Sequence, residues 1–332
     1  MRVLAFRVLP SGSIRMDDNR TVPLLCPLLK LICMLSGRNE KQSRPIQREI
    51  SRSGAAEGMS QLESSMVKFR GPYHEVNAYL TRPAGEEKYP GLVLIHEIWG
   101  LVPHIKDVAD RFAREGFVVL APDLMGSDPN LAPMFAPSII EAVTKFMFGL
   151  PPGKMRDQAF VQQELMKMPQ ETRAPVAIFF ATVLGGKLPF PRFTVEVSSA
   201  CDFLKTCQGV EPARIGSLGF CFGGTMSFRL ACSGATQACV VFYGQNPDPI
   251  DQVANIKCPV LGNYGAEDSG LNSTLDQLVA AMVRHKKDFE MKIYPGAPHA
   301  FFNDTNTYMY REAAAEEAWE RSLRFLNSAL KS

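Results

Sequence analysis

The residues best suited to chemistry are grouped around one cysteine. Cys221 stands in Gly219-Phe220-Cys221-Phe222-Gly223-Gly224, a G-x-C-x-G spacing that fits a nucleophile on a sharp strand-to-helix turn. Such a turn is strained, and glycines on both sides let the backbone pass without a Cβ. The apolar run 214–218 before it reads as the strand. The side chain at the apex would then stand at a helix N-terminus, which favours a developing negative charge. A thiol reacts as thiolate, so it needs a base. His299, in Pro295-Gly296-Ala297-Pro298-His299, can take that proton and return it. Asp268, in Tyr264-Gly265-Ala266-Glu267-Asp268, can hold the imidazole tautomer, with Glu267 beside it as the competing acid. His285 lies among Arg284, Lys286 and Lys287 and reads as part of a solvated helix face. His96 and His104 read as loop or helix-cap residues. The plain alternative for Cys221, a buried structural cysteine, is disfavoured by its flanking glycines.

These groups need a scaffold that brings distant segments to one edge. Residues 91–95 and 117–121 are apolar runs, as in strands buried on both faces, and 239–243 and 260–264 also read as strands. Residues 67–69 and 75–80 alternate around Gly71-Pro72 and suggest an antiparallel hairpin. Helical spacing appears over 105–114, 194–204, 275–285 and 311–330, and 289–294 reads as the last strand. Strand and helix alternate, which predicts a mostly parallel central sheet with helices on both faces. The Met-, Phe- and Pro-rich stretch near residues 125–193 is expected to form a helical insertion over the sheet. Ligands of such sheets bind beyond the carboxyl ends of the strands, where Cys221, Asp268 and His299 all fall. The Phe222 N–H would serve as one oxyanion donor, and the loop after strand 92–95 should supply the second.

Composition sets broad limits. The 332 residues are 46% hydrophobic and 21% charged with a net charge of +2, so no nucleic-acid or membrane footprint is implied. Residues 1–58 hold 10 Lys+Arg against 5 Asp+Glu, leaving a mildly acidic remainder with 26 against 29. That segment is expected to be a poorly ordered extension, a leader or the product of an alternative start, ahead of one catalytic domain over 59–332. Its apolar run 21–35 is interrupted by Pro23, Pro27 and Lys30 and is too short to span a membrane. The eight cysteines show no C-x-x-C pair and no zinc spacing, so reduced thiols in a cytoplasmic protein are expected. Neither a metal nor an organic cofactor is expected.

Four motifs together resemble one family. His96-Glu97-Ile98-Trp99-Gly100, Ala121-Pro122-Asp123-Leu124, the Cys221 elbow and Pro295-Gly296-Ala297-Pro298-His299-Ala300-Phe301 are similar, in order and over about residues 64–330, to the dienelactone hydrolases (carboxymethylenebutenolidases). The resemblance implies the α/β-hydrolase fold, a Cys221–His299–Asp268 triad and a thioester acyl-enzyme. It gives Glu97 the role of contacting the resting thiol and helping to deprotonate it. It makes Ile98 the second oxyanion donor, and places Tyr243 and Trp99 along the substrate cleft. Family members bind a substrate carboxylate with arginines. One such arginine follows the histidine by four residues, where this chain has Asn303. The other is matched by Arg156, for which a plain surface charge is the alternative. The implied partner is a small ester or lactone, with the protein a monomer or weak oligomer. Rival readings are a broad esterase or thioesterase with no dienelactone role, a non-catalytic ligand-binding scaffold of the same fold, and a redox-sensing thiol.

Overall fold

A computed structural model describes residues 61–332 apart from 152, 153, 155, 156, 186 and 187, together with three short strands before them. Those strands, β1 (Phe6–Val8), β2 (Ser13–Met16) and β3 (Thr21–Pro23), fall in the segment 1–58. The rest of that segment lies outside the described residues, as does Arg156.

Eight strands build the main part of the sheet. They are β4 (Leu62–Arg70), β5 (Glu75–Pro83), β6 (Tyr89–Ile95), β7 (Val118–Pro122), β8 (Val210–Phe220), β9 (Ala238–Phe242), β10 (Val260–Gly265) and β11 (Phe289–Tyr294). Their spatial order is β11-β10-β9-β8-β6-β7-β5-β4, and β1 continues the sheet beyond β11. The strands from β11 to β7 run parallel, while β5 pairs antiparallel with both β7 and β4. This is the mostly parallel α/β sheet that the alternating apolar runs predict.

Period-two alternation sorts the side chains between two faces. Val93 and Ile95 of β6, with Val118 and Leu120 of β7, join one core. Leu92, Leu94, Val119 and Ala121 join the opposite one. The first core is covered by α5 (Phe190–Thr206) and α6 (Phe222–Ser233), and α8 (Leu275–Arg284) continues that layer over β9–β11. The second is covered by α1 (Pro103–Arg114) and α9 (Glu312–Leu330). Both faces of the central strands are thus dry, which is why those strands are uniformly apolar rather than alternating.

The β7-to-β8 crossover holds the insertion. It contains α2 (Pro137–Gly149), α3 (Gln158–Met166) and α4 (Gln170–Phe179), and ends in α5; a short helical turn α7 (Ser269–Asn272) follows β10. Helix α5 begins four residues earlier than the 194–204 periodicity predicts. Pro191 lies in its first turn, where no backbone donor is required and the proline φ is already helical.

Order reverses between β6 and β8, which lie side by side although the chain visits β7 between them. Their loops leave in opposite directions and open a crevice at the carboxyl ends. The register pairs Ile95 with Gly219. Ile98 and Phe222, each three residues further on, therefore come off the sheet level with one another.

Leu326 of α9 is fully buried in the core shared by α1, β6 and β8. Leu326→Ala should lower unfolding stability by about 2–5 kcal/mol in urea titration. The specific activity of the folded fraction should stay unchanged, because Leu326 packs beside Gly216 in the middle of β8 rather than at the strand ends.

Candidate active site

The turn after β8 is the most strained part of the site. Cys221 has φ 54° and ψ −114°, outside the usual regions for a side-chain-bearing residue. Its N–H donates to the Phe242 carbonyl at 3.0 Å, which pins the turn to the end of β9. Glycine is required on both sides for steric reasons. A Cβ on Gly219 would overlap the Gly223 carbonyl, and one on Gly223 would overlap the carbonyl oxygens of Ile95 and His96. The first turn of α6 is therefore pressed against the end of β6. The Phe222 N–H, at the first position of α6, has no partner within the helix.

His299 and Asp268 arrive from the ends of β11 and β10. The His299 Nδ1–H donates to Asp268 Oδ2 at 2.5 Å. The imidazole is 39% exposed and the carboxylate 12%, so the ring opens to the cleft while its acid is sheltered. Glu267 is exposed and contributes its backbone N–H to the Ala297 carbonyl, so Asp268 is the acid that meets the ring. His285 pairs with Asp251 at the surface, 3.3 Å away, remote from this group. Burial pulls the His299 pKa down, but the Cys221 sulfur and Asp268 outweigh it and hold it well above the ordinary 6.5. The Cys221 sulfur acts on the ring both through charge and as a side-chain hydrogen-bond partner.

Glu97 is almost completely buried. Its Oε2 accepts from Asn303 Nδ2 at 2.8 Å and its Oε1 from Tyr243 Oη at 3.4 Å. Each oxygen thus has one hydrogen-bond donor, Asn303 on Oε2 and Tyr243 on Oε1. Burial raises the Glu97 pKa, opposed by Asn303, His104, His299 and Tyr243. Tyr243, itself buried, is pushed well above its usual value by burial and then by Glu97 and Cys221, and its ring lies 5.1 Å from that of His299. Asn303 is fixed in turn. Its Oδ1 accepts from Thr305 N–H at 3.1 Å and from Thr305 Oγ1 at 2.6 Å.

Trp99 joins the loop after β6 to the insertion. Its indole stacks on Phe179 of α4 at 6.1 Å, and Phe135 meets the same ring at 5.6 Å. Phe190 and Phe193 of α5 pack on Phe222 at 5.8 and 5.3 Å. The packing on this side of the loop is aromatic.

The structure therefore brings together Cys221, Asp268, His299, Glu97, Tyr243, Phe222 and the Ile98 loop. Asn303 enters the sequence reading only as a place where an arginine is missing. Its bond to Glu97 spans 206 residues, and no local pattern signals it.

A model of the dienelactone hydrolase family matches residues 76–330. A Saccharolobus solfataricus protein provisionally named a carboxymethylenebutenolidase is 35% identical over 257 residues, covering 77% of this chain and 95% of its own length. Protein usf of Aquifex pyrophilus is 30% identical over 273 residues, covering 80% of this chain and 98% of itself. Among solved structures, a Klebsiella pneumoniae protein provisionally described as a dienelactone hydrolase superposes with a TM-score of 0.61. At 22% identity, covering 80% of this chain and 98% of that one, it shows the shared fold.

The raised His299 pKa fixes the sign of a pH effect. Folding favours the charged ring, so this contribution is complete below about pH 6.5 and is lost as pH rises through the raised value. Urea unfolding of wild type and His299→Gln across pH should show a stability gap that is widest on the acid side. A gap that grows with pH would contradict the assignment.

Proposed function

The chain belongs to the dienelactone hydrolase family, and from that premise we propose that it cleaves a lactone or activated ester through a Cys221 thioester. Family membership makes it a hydrolase of carboxylic ester bonds acting on a small molecule. The observation that carries the finer reading is the strained Cys221 at the head of α6, facing an imidazole already bonded to Asp268 at 2.5 Å.

In the proposed cycle the Cys221 sulfur attacks the carbonyl carbon, its proton passing to His299. The tetrahedral oxyanion is met by the Phe222 and Ile98 N–H groups. The acyl carbon–oxygen bond breaks, and His299 returns the proton to the leaving alkoxide. In a lactone that alkoxide stays attached to the acyl chain, so the ring opens. His299 then takes a proton from water, the hydroxide attacks the thioester, and the thiol is released. Asp268 keeps the ring in the Nδ1–H tautomer throughout.

The acyl group we favour is neutral. Asn303 stands where the family resemblance calls for a carboxylate-binding arginine, and its amide is occupied by Glu97 and Thr305. The half-buried Trp99 and Phe135 rings, backed by the buried Phe179, suit an apolar substituent. A broad esterase with no dienelactone role is therefore the second reading. A cytoplasmic location fits the buried thiols, with Cys201 and Cys232 each pushed up to about 12 by burial. Among the described residues no helix is long and apolar enough to cross a membrane.

Steady-state hydrolysis of cis- and trans-dienelactone beside p-nitrophenyl acetate separates the substrate readings. Neutral ester turnover should exceed dienelactone turnover. Cys221→Ala should lower kcat by roughly 10³-fold or more. Unchanged turnover in that variant would sink the mechanism; dominant dienelactone turnover would restore an acidic substrate.

A further inference from the structure

His96 opens the His96-Glu97-Ile98-Trp99-Gly100 motif, is fully buried, and has no part in the reaction steps. Its ring nevertheless touches both halves of the oxyanion site. It stacks on Phe222 with centroids 5.9 Å apart. Its Nδ1 lies 2.5 Å from the Glu97 carbonyl oxygen, and its Nε2 lies 3.1 Å from the Leu124 N–H, just beyond β7.

These contacts determine the tautomer. A backbone N–H can only donate, so Nε2 must present a lone pair to Leu124. The ring proton therefore sits on Nδ1 and is donated to the Glu97 carbonyl. Burial lowers the His96 pKa, with Asp123 opposing, so the ring holds that single proton at neutral pH. The Gly100 N–H donates to the same carbonyl at 3.3 Å.

The consequence lies in the Glu97–Ile98 peptide. A trans peptide is planar, with its C=O and N–H pointing to opposite sides. Holding the carbonyl toward His96 turns the Ile98 N–H the other way. None of the hydrogen bonds among the described residues uses that N–H.

We propose that His96, as its Nδ1–H tautomer, is the positioning residue that keeps the Ile98 amide turned into the cleft, so that the oxyanion site is formed before substrate arrives. This rests on Ile98 being an oxyanion donor. A flip of the one peptide would present a carbonyl to the developing oxyanion instead of a donor, and His96 is the side chain that opposes that flip.

Two variants and one spectrum test it. Asparagine can place a donor near the Nδ1 position, whereas glutamine reaches the Nε2 position and leaves the Glu97 carbonyl without its side-chain donor. His96→Gln should lower the acylation rate with p-nitrophenyl acetate by roughly 10²–10³-fold, the usual cost of losing one oxyanion donor, with KM nearly unchanged. Alkylation of Cys221 by iodoacetamide, which needs the thiol and base but no oxyanion site, should stay near the wild-type rate. His96→Asn should recover most of the acylation rate. Equal losses in both variants, an unchanged rate in His96→Gln, or alkylation falling in parallel would each overturn the proposal. Since a buried substitution can prevent folding, the tautomer should also be read in the wild-type protein by nitrogen-15 NMR of the imidazole. An Nδ1–H signal at neutral pH is expected, and an Nε2–H ring or an imidazolium would refute the assignment. These failures would leave the Cys221 dependence intact, whereas failure of the thioester mechanism would abolish that dependence.

Discussion

The close approach of α6 to the end of β6 governs the arrangement. Gly223 lies so near the Ile95 and His96 carbonyls that no side chain fits between them. That contact holds the head of the nucleophile helix against the loop that carries Glu97, Ile98 and Trp99. It follows from the parallel pairing of β6 with β8, two strands that meet only because the chain visits β7 on the far side of β6 first. One backbone contact thereby couples the Cys221 thiol, the Phe222 and Ile98 amides and the buried Glu97.

Strain is concentrated in the same place. Three of the four non-glycine residues with positive φ among the described residues are Cys221, Tyr243 and Ala300. Each lies at or near the nucleophile, the buried tyrosine or the histidine, and each such conformation costs about 1–3 kcal/mol. Hydrogen bonds hold them there. The Cys221 N–H is bonded to Phe242, the Tyr243 N–H to Asn263 at 2.8 Å, and the Ala300 carbonyl accepts from the Asn303 N–H at 3.1 Å. The sheet ends act as a frame that keeps three unfavourable turns in register.

Much of this was legible from residue order. Apolar runs mark β6, β7 and β9 because strands covered on both faces have no polar side to show. The elbow was legible because its glycines are a steric necessity, and His299 because it follows a strand in a proline-glycine loop. Asp268 is preferred from residue order with Glu267 as a rival, and the turn after β10 shows that it is Asp268 that meets the imidazole. The environment of Glu97 was hidden for a different reason. Its partners Tyr243 and Asn303 come from distant segments, and hydrogen bonds across such separations leave no periodicity in a sequence. His96 was read as a loop residue because its work is done through a peptide carbonyl, a group every residue carries.

The stacking of Trp99 on Phe179 has a mechanical consequence. In the proposed reaction residue 98 offers its amide to the chemistry, and residue 99 is clasped by the helical insertion. The insertion leaves the sheet after β7 and returns at β8, so it can drift in length and composition without disturbing strand order. Its aromatic grip on Trp99 is where that freedom ends. Natural variation in this segment can reshape the substrate wall widely, while any change that loosens Phe179 also reaches the peptide beside it. Substrate range and catalytic competence would then evolve as partly linked traits, joined through a single pair of rings.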